Sequence, residues 1–271
     1  MAQERDGVVI NADASQLYGD LPILSARPDP DEEALAPHRL YGVVDGAHAC
    51  SAAEWAALAR TAIEAAWAEG RLPILVGGTG LYLRTLIEGI APVPDIDPPI
   101  RATVRAMAAG EARTALEAED PAMAARLHPN DSQRNGRALE VVRATGRSLG
   151  WWQARTEGGI ARQATLEPTL IVPDRQALYA RADRRFVAMM ERGALPEVEA
   201  LRARGLSPGL PVMKTLGVRP LLAHLAGEMP IAAAIAAAQL ETRQYAKRQF
   251  TWFVGGGQAG GWLAAAKKIQ G

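Results

Sequence analysis

The stretch SAAEWAALARTAIEAAWAEGRLPILVGGTG, residues 51–80, decides the fold class of this chain. Its first part predicts a helix, because Ser51 and Glu54 have the spacing of a capping box and Gly70 supplies a stop. The apolar stripe expected on this helix consists of Trp55, Leu58, Ala59, Ala62, Ile63 and Ala66. The run that follows predicts a buried parallel strand opening into a glycine loop, residues 77–80. This order predicts an α/β sheet whose ligands bind at the carboxyl ends of its strands.

A second strand is predicted near the start of the chain, in VVINADASQLY, residues 8–18. Asp13 follows this strand and precedes a polar group made of Ser15, Gln16 and Tyr18. A partly desolvated carboxylate at a strand end suits a general base, although an aspartate there equally suits a cap or a turn. Thr79 follows the other predicted strand, and its hydroxyl could hold a phosphate or a base. Two glycines after a strand also commonly make only a turn.

The amino-acid composition of the chain changes after its first core segment, residues 1–91. A proline-rich and then alanine-rich stretch predicts a helical insertion over residues 92–165, followed by a second core segment, 166–271. Inside the insertion, Asp131 and Gly146 predict the two ends of a helix.

The second core segment opens with PTLIVPD, residues 168–174, which is expected to return the chain to the sheet as a strand. Asp174 then caps a predicted helix on which Arg181 and Arg185 are four residues apart and share a face. If Arg185 faces the strand ends, its planar fork could pair with a diphosphate. The plain alternative is a pair of solvated helix arginines.

A long helix is predicted to begin near Pro230 and to carry RQYAKRQFTW, residues 243–252. Arg243 and Lys247 share one face of it, and close to another face lie Tyr245, Arg248 and Trp252. Basic residues interleaved with aromatic ones can neutralise phosphates and stack on unpaired bases, as single-stranded RNA recognition requires. An amphipathic helix without RNA is equally compatible with this pattern.

Composition excludes several other classes of protein. Hydrophobic residues make up 48% and charged residues 22% of the 271, with a net charge of zero, so the chain is expected to fold. The single cysteine, Cys50, excludes an internal disulfide, and the four histidines lack metal-ligand spacing. No apolar run of about 18 residues and no signal-peptide pattern occurs, so a cytoplasmic protein is expected.

Several segments together resemble the tRNA dimethylallyltransferase family, also called tRNA isopentenyltransferases or IPP transferases. They occur in the family's order and span nearly the whole chain, which is far more specific than any one motif. The matching segments are INADASQLY, APHRLYGVVD with SAAEW, LVGGTGLYL, RLHPNDSQRNGRALEV, LPVMKTLGVRPLL and RQYAKRQFTWF.

The resemblance implies a P-loop NTPase-like α/β core whose parallel sheet belongs to a nucleotide-binding fold. It also implies a helical insertion that surrounds the anticodon stem-loop. It implies transfer of a dimethylallyl group from dimethylallyl diphosphate to N6 of the adenosine 3′-adjacent to the anticodon, with Mg²⁺, by a monomer. It makes Asp13 the general base, places Thr79 and Arg101 beside the tRNA, and places Arg185 near the diphosphate. Asp13, Thr79 and Arg185 are therefore the expected catalytic residues.

The same resemblance assigns the tRNA contacts. They are Asp13, Ala14, Ser15, Gln16, Thr79, Arg101, Gln133, Arg134, Asn135, Gly136, Arg137, Lys214, Thr215, Leu216, Gly217, Val218, Arg219, Arg243, Gln244, Tyr245, Ala246, Lys247, Arg248, Gln249 and Phe250.

The largest departure from the family is that no G-x-x-x-x-G-K-[ST] string occurs in the 271 residues. The first strand and P-loop, with its lysine and Mg²⁺-binding hydroxyl, are therefore expected to be missing, which would leave exposed sheet edges. A start codon placed too late, with roughly 25 to 35 residues of a βα unit upstream, is favoured over a remnant. The regions of Asp13 and Arg185 match the family cleanly, which a decaying remnant would not preserve. Smaller departures are Ala14, where a serine is usual, and Val254, where a basic residue is common.

Three alternatives to the full enzyme stay open. The first is an impaired remnant, or another non-catalytic protein, that only binds tRNA. The second, a nucleotide kinase or NTPase, is disfavoured by the absent lysine loop. The third, prenylation of free adenine nucleotides, is disfavoured by the tRNA-type motifs at the C-terminal end.

Overall fold

The computed structural model describes residues 1–254, 261–263 and 266–269. Its backbone divides into two compact units, the first made of Met1–Ile87 with Ile160–Gly271 and the second of Glu88–Gly159. The second unit begins and ends slightly before the insertion predicted from the sequence. Parts of the predicted second core segment, residues 255–260, 264, 265, 270 and 271, lie outside the described residues.

The strands are β1 (Gly7–Asn11), β2 (His38–Arg39), β3 (Leu72–Val76), β4 (Gly89–Ile90), β5 (Glu157–Gly158), β6 (Thr169–Ile171) and β7 (Lys267–Ile269). The α-helices are α1 (Pro30–Glu33), α2 (Ala52–Ala68), α3 (Gly80–Glu88), α4 (Pro98–Ala106), α5 (Ala109–Glu119), α6 (Pro121–Arg126), α7 (Ser132–Thr145), α8 (Leu149–Gln153), α9 (Arg175–Glu191), α10 (Ala194–Ala203), α11 (Val218–Leu225) and α12 (Ile231–Val254). Short 3₁₀ turns occur at Val212–Lys214 and Gly261–Leu263.

The main sheet of the first unit has the order β2-β1-β3, and all its strands are parallel. The opening strand is therefore interior, as predicted, and its Val8 and Ile10 are fully buried. Helix α2 packs on this sheet and begins with the predicted capping box of Ser51 and Glu54. Its buried row is Trp55, Ala56, Ala59, Ile63 and Ala66. The prediction for Leu58 was wrong, because this side chain lies on the shoulder of the helix and is 39% exposed.

Two strands differ from the sequence-based expectation. Strand β3 is parallel, as predicted, but it is not buried. Among the described residues it pairs with β1 alone, and Val76 at its end is 48% exposed. Strand β6 does not return the chain to the main sheet, because within the described residues its hydrogen-bonded neighbour is β7. The α/β class with a parallel sheet is confirmed, whereas the prediction that residues 168–174 rejoin this sheet was wrong.

The second unit is built from helices α4 to α8 and the short β4–β5 ladder. Helix α7 is capped by Asp131 and ends at Gly146, whose φ of 65° explains the choice of glycine, as predicted. The apolar core of this unit consists of Val104, Ala112, Leu116, Met123, Ala124, Ala138 and Leu139.

Two further helix boundaries in the first unit agree with the sequence. Asp174 caps α9, and α12 begins directly after Pro230.

Across the part of the chain that the structure describes, no helix combines the length and apolarity needed to cross a bilayer.

Candidate active site at the strand ends

Asn11, the last residue of β1, fixes the backbone around Asp13. Its side-chain Oδ1 accepts the Asp13 N–H at 2.8 Å, and its Nδ2 donates to the Asp13 and Leu40 carbonyls, both at 3.0 Å. The Trp55 indole donates to the Asn11 carbonyl at 3.0 Å. Because the Asn11 side chain is 0% exposed, these bonds are protected from water. The turn that carries Asp13 is therefore rigid.

The Asp13 carboxylate is half-buried and partly satisfied by backbone donors. Its Oδ1 accepts the Ser15 N–H at 2.8 Å. Burial raises the pKa of Asp13, and the N–H groups of Ser15 and Gln16 and then the charge of Arg185 oppose this rise. A raised pKa makes the ionised carboxylate a stronger proton acceptor, which suits a general base.

The polar group predicted after Asp13 is used mainly for structure. Tyr18 is 1% exposed and belongs to the apolar core. The Gln16 side chain donates to the Ser25 and Ala26 carbonyls at 3.2 and 2.8 Å. The side chains of these two residues are therefore occupied within the fold.

The glycine loop locks the ends of β1 and β3 together. The Thr79 Oγ1 accepts the Ala14 N–H at 3.0 Å, and the Thr79 N–H donates to the Ala12 carbonyl at 3.1 Å. At Gly77 an added Cβ would lie 2.2 Å from the Ala12 carbonyl carbon, so only glycine allows this approach. The strand-end rule thus brings Asp13 and Thr79 together.

Helix α12 packs one row of side chains onto the glycine loop. The Tyr245 hydroxyl shares hydrogen bonds with the side chains of Thr79 and Gln249, and the Gln249 Nε2 donates to the Gly78 carbonyl at 3.1 Å. A Cβ added to Gly80 would lie 2.5 Å from the Trp252 ring. Burial first and the charge of Asp13 second raise the pKa of Tyr245, so this phenol stays neutral. Tyr245 and Gln249, which are also predicted tRNA contacts, hold this loop.

Arg185 is the cation whose charge acts on Asp13. Arg185 is exposed, yet desolvation by surrounding atoms is the main cause that lowers its pKa, followed by the charge of Arg181, while Asp13 opposes the shift. The guanidinium remains charged at neutral pH. An anion placed here would therefore relieve the repulsion between two arginines of one helix face.

Arg243, another predicted tRNA contact, forms an ion pair with a carboxylate of α9. Its Nη1 lies 2.6 and 2.8 Å from the two carboxylate oxygens of Asp183 on α9. The helix pattern shows which face Arg243 occupies but not that a carboxylate on another helix meets it.

The remaining predicted contacts divide by exposure. Those with exposed side chains are Gln133, Arg134, Arg137, Lys214, Arg219, Gln244, Lys247, Arg248 and Phe250, and the half-buried ones are Ala14, Ser15, Arg101, Gly136, Leu216 and Ala246. Thr215, Gly217 and Val218 are buried, Val218 in the apolar core. Asn135 is 0% exposed, and its Nδ2 donates to the His128 and Pro129 carbonyls. The buried side chains of Thr215, Val218 and Asn135 pack within the fold.

Sequence reasoning missed two residues of this site. Asn11 was not among the predicted site residues. A single polar residue at the end of an apolar run nevertheless indicates a buried side chain that hydrogen-bonds to the backbone. Tyr41 was also passed over: burial, and then the charge of Asp13, raise its pKa to about 12. Its ring lies 5.5 Å from that of His38. No local pattern distinguished it.

The residues at this site do not form a magnesium site by themselves. Among the described residues, no group of three or more His, Cys, Asp or Glu side chains could hold a metal ion. Mg²⁺ is usually bound by one or two carboxylates together with substrate phosphates. Asp13 is the one carboxylate in the polar cluster described above, and its Oδ1 already accepts a backbone N–H.

Comparison with known proteins gives consistent matches over nearly the whole chain. The model of the IPP transferase family matches residues 16–255. A tRNA dimethylallyltransferase of Erythrobacter litoralis is 57% identical over 249 residues, which cover 92% of this chain and 78% of the relative. One from Sphingopyxis alaskensis is 58% identical over 248 residues, covering 92% and 81%.

Solved structures show the same similarity at the level of the backbone. The full-length tRNA isopentenylpyrophosphate transferase of Bacillus halodurans superposes with a TM-score of 0.69 at 29% identity, covering 99% of this chain and 83% of that one. A eukaryotic dimethylallyltransferase acting on tRNA gives a TM-score of 0.76 at 26% identity, covering 93% and 64%.

Proposed function

This chain belongs to the IPP transferase family, and from that premise we propose that it transfers a dimethylallyl group from dimethylallyl diphosphate to N6 of the adenosine 3′-adjacent to the anticodon of tRNA. The observation that carries the proposal is the half-buried Asp13 carboxylate, whose pKa is raised and whose turn is locked to Thr79 through Ala14. A proton acceptor held at a strand end is what this transfer requires.

The chemistry assigns a role to each group. The adenine N6 attacks C1 of the dimethylallyl group, the bond from C1 to the diphosphate oxygen breaks, and the diphosphate leaves with the electron pair. Asp13 takes the proton that N6 loses, which assists a weak amine nucleophile. Arg185 stabilises the charge that develops on the leaving group. The resemblance also implies Mg²⁺. Because the described residues form no site for it, the steps above are assigned to protein groups.

The tRNA interface of this proposal consists of the exposed members of the predicted set. The basic side chains Arg134, Arg137, Lys214, Arg219, Lys247 and Arg248 would neutralise phosphates. Phe250, 54% exposed, offers a ring on which an unpaired base can stack. Because N6 is buried in a stacked loop, the adenosine is expected to be flipped out of the stack.

A second candidate function is tRNA binding without transfer. It is favoured by one observation, that the 271 residues contain no G-x-x-x-x-G-K-[ST] string to cradle a diphosphate.

The experiment compares the 271-residue chain with a fusion that places a strand and a G-x-x-x-x-G-K-[ST] loop of the family's pattern before residue 1. Both are incubated with radiolabelled dimethylallyl diphosphate, Mg²⁺ and a tRNA carrying adenosine beside the anticodon, and with a matched tRNA carrying guanosine there. We expect the fusion to label only the adenosine tRNA. If the fusion labels neither, the proposal is wrong. If it labels the adenosine tRNA while the 271-residue chain only binds it, the second function describes the shorter chain.

A further inference from the structure

Helix α8, in the second unit, carries an arrangement of cations that the resemblance does not assign. The guanidinium carbons of Arg147 and Arg155 lie 4.2 and 4.0 Å from the ring centroid of Trp151. Both guanidiniums therefore stack on this one indole. Arg126 approaches the same helix, because its Nη1 lies 2.6 Å from where a Gly150 Cβ would be. Arg126, Arg147 and Arg155 with Trp151 are called the α8 arginine cluster.

Backbone and side-chain bonds fix the positions of this cluster. The Arg155 Nη1 donates to the Trp151 carbonyl at 2.9 Å, and the Arg147 N–H donates to the Thr145 Oγ1 at 3.2 Å. Thr145 also accepts the Trp152 indole N–H at 3.2 Å, which ties α8 to the end of α7. The cations are therefore preorganised, so little side-chain entropy remains to be lost when a ligand binds.

Charge pairing separates the cluster from other arginines of the same unit. Those that form ion pairs are Arg105 and Arg137 with Glu140, Arg113 with Glu117, Arg134 with Asp131, and Arg143 with Glu119. Within the described residues no carboxylate lies within ion-pair distance of Arg126, Arg147 or Arg155, and all three are exposed. Three uncompensated cations next to α8 favour an anion from outside the protein.

We infer that the α8 arginine cluster binds the phosphodiester backbone of the RNA substrate, at a contact additional to those implied by the family. The inference rests on the proposed function for the identity of the RNA. The guanidinium fork matches phosphate oxygens. Because the guanidiniums of Arg147 and Arg155 already stack on Trp151, the contact that the cluster offers to RNA is charge. The cluster therefore binds the phosphate backbone independently of base sequence, and it positions the RNA without contributing to its selection.

The test measures RNA affinity against salt for the 271-residue chain, by fluorescence anisotropy with a labelled anticodon stem-loop. In the double variant Arg147→Gln/Arg155→Gln, we expect the slope of log K against log salt to become shallower by about 1.4 to 1.8, since each phosphate contact contributes about 0.7 to 0.9. The variant Arg147→Lys/Arg155→Lys keeps both charges and is expected to keep most of the slope. The control Arg162→Gln/Arg192→Gln removes two exposed arginines of the first unit and should leave the slope unchanged.

Several outcomes would overturn the inference. One is a glutamine double variant with the wild-type melting temperature and the wild-type slope. Another is an unchanged RNA slope together with lost sedimentation on phosphatidylserine vesicles, which would make the cluster a lipid contact. If the double variant fails to fold, Arg126→Gln, which removes an unstacked arginine, is expected to reduce the slope by about 0.7 to 0.9, and no change in it would overturn the inference.

The transfer assay separates this inference from the proposed function. In the P-loop fusion, the glutamine double variant should raise the KM for RNA, because the cluster contacts the RNA and not the reacting atoms. A fusion that never transfers, combined with a reduced slope, would reject the proposed chemistry and keep the RNA site.

Discussion

The site around Asp13 and the α8 arginine cluster use polar side chains in opposite ways. At the strand ends, polar groups bond to one another and to the backbone: Asn11 alone makes three hydrogen bonds of 2.8 to 3.0 Å. At α8, the guanidiniums of Arg147 and Arg155 stack on an indole and have no carboxylate partner among the described residues. The first region is satisfied internally, and the second is left to be satisfied by a ligand.

This difference follows from what each task requires. Proton transfer needs one group in one position with a shifted pKa, which burial and a closed hydrogen-bond network supply. Binding a polyanion needs accessible charge that no internal carboxylate cancels. Substitutions at the strand ends should therefore change the rate of transfer, and substitutions at α8 should change the dependence of RNA affinity on salt.

The largest expected effect is that of Asp13→Asn on transfer. Removal of a general base should lower the rate of the fusion by about 10² to 10⁴, while the salt slope of RNA binding stays unchanged. In the wild type the rate should fall as the pH falls through the raised pKa of Asp13, because the base then carries a proton. Rates are measured in single turnovers across pH.

The same substitution has an unusual expected effect on stability. A raised pKa means that the folded state binds the proton more tightly than the unfolded state, so ionised Asp13 lowers the free energy of unfolding above that pKa. Asp13→Asn should therefore keep or raise the melting temperature at pH 7, since the amide oxygen can still accept the Ser15 N–H. A clear loss of stability would show that Asp13 serves the fold instead.

Asn11→Ala should remove the side-chain hydrogen bonds that hold the backbone of Asp13 in position. It leaves the Asp13 N–H and the Leu40 carbonyl without partners, at a cost of about 1 to 3 kcal/mol for each group that remains unsatisfied. We expect a lower melting temperature and slower transfer at saturating RNA, with an unchanged salt slope. The matched control is Asn130→Ala, an exposed asparagine whose side chain makes no hydrogen bond to a described residue. A wild-type transfer rate for Asn11→Ala would contradict the positioning role.

The parts of the fold that the sequence predicted are those with local causes. The capping box of α2 and the caps of α7 and α9 each depend on residues within one helical turn. The pairing of β6 with β7 depends on a segment far along the chain, and no pattern inside PTLIVPD reveals it. The prediction that β3 is buried was wrong for a related reason. Its apolar composition suggests an interior strand, but composition does not show how many strands pair with it.

The site shows the same division. The rule for strand ends was enough to bring Asp13 and Thr79 together. A motif, however, does not show which of its side chains turn inward: Asn135 holds a loop, and Arg243 is occupied by Asp183. The cluster at α8 was missed although Arg147, Trp151 and Arg155 are four residues apart, because Arg147 and Arg155 lie beyond the two ends of this short helix.

Gly80→Ala tests the packing of α12 on the glycine loop. The new Cβ would meet the Trp252 ring at 2.5 Å, so overpacking should cost about 1 to 3 kcal/mol of the free energy of unfolding. Gly110→Ala in α5 is the matched control, because its Cβ would meet nothing within 4 Å and should be neutral or stabilising by about 0.5 to 1 kcal/mol. Both are measured by urea unfolding. Equal effects would mean that Trp252 does not constrain the loop.

Tyr245→Phe is expected to have the smallest effect and to separate two roles for one helix. Loss of the hydroxyl removes the hydrogen bonds to Thr79 and Gln249, worth about 0.5 to 1.5 kcal/mol each, so transfer should fall by about 2- to 10-fold. Its salt slope should stay at the wild-type value, because the phenol is neutral and faces the loop. Arg248→Gln, three residues further along and exposed, should do the reverse and make the slope shallower by about 0.7 to 0.9 at an unchanged rate with saturating RNA. If Tyr245→Phe instead weakened RNA binding without slowing transfer, α12 would present its aromatic row to RNA, and the division between an internally satisfied site and a ligand-facing surface would not hold along this helix.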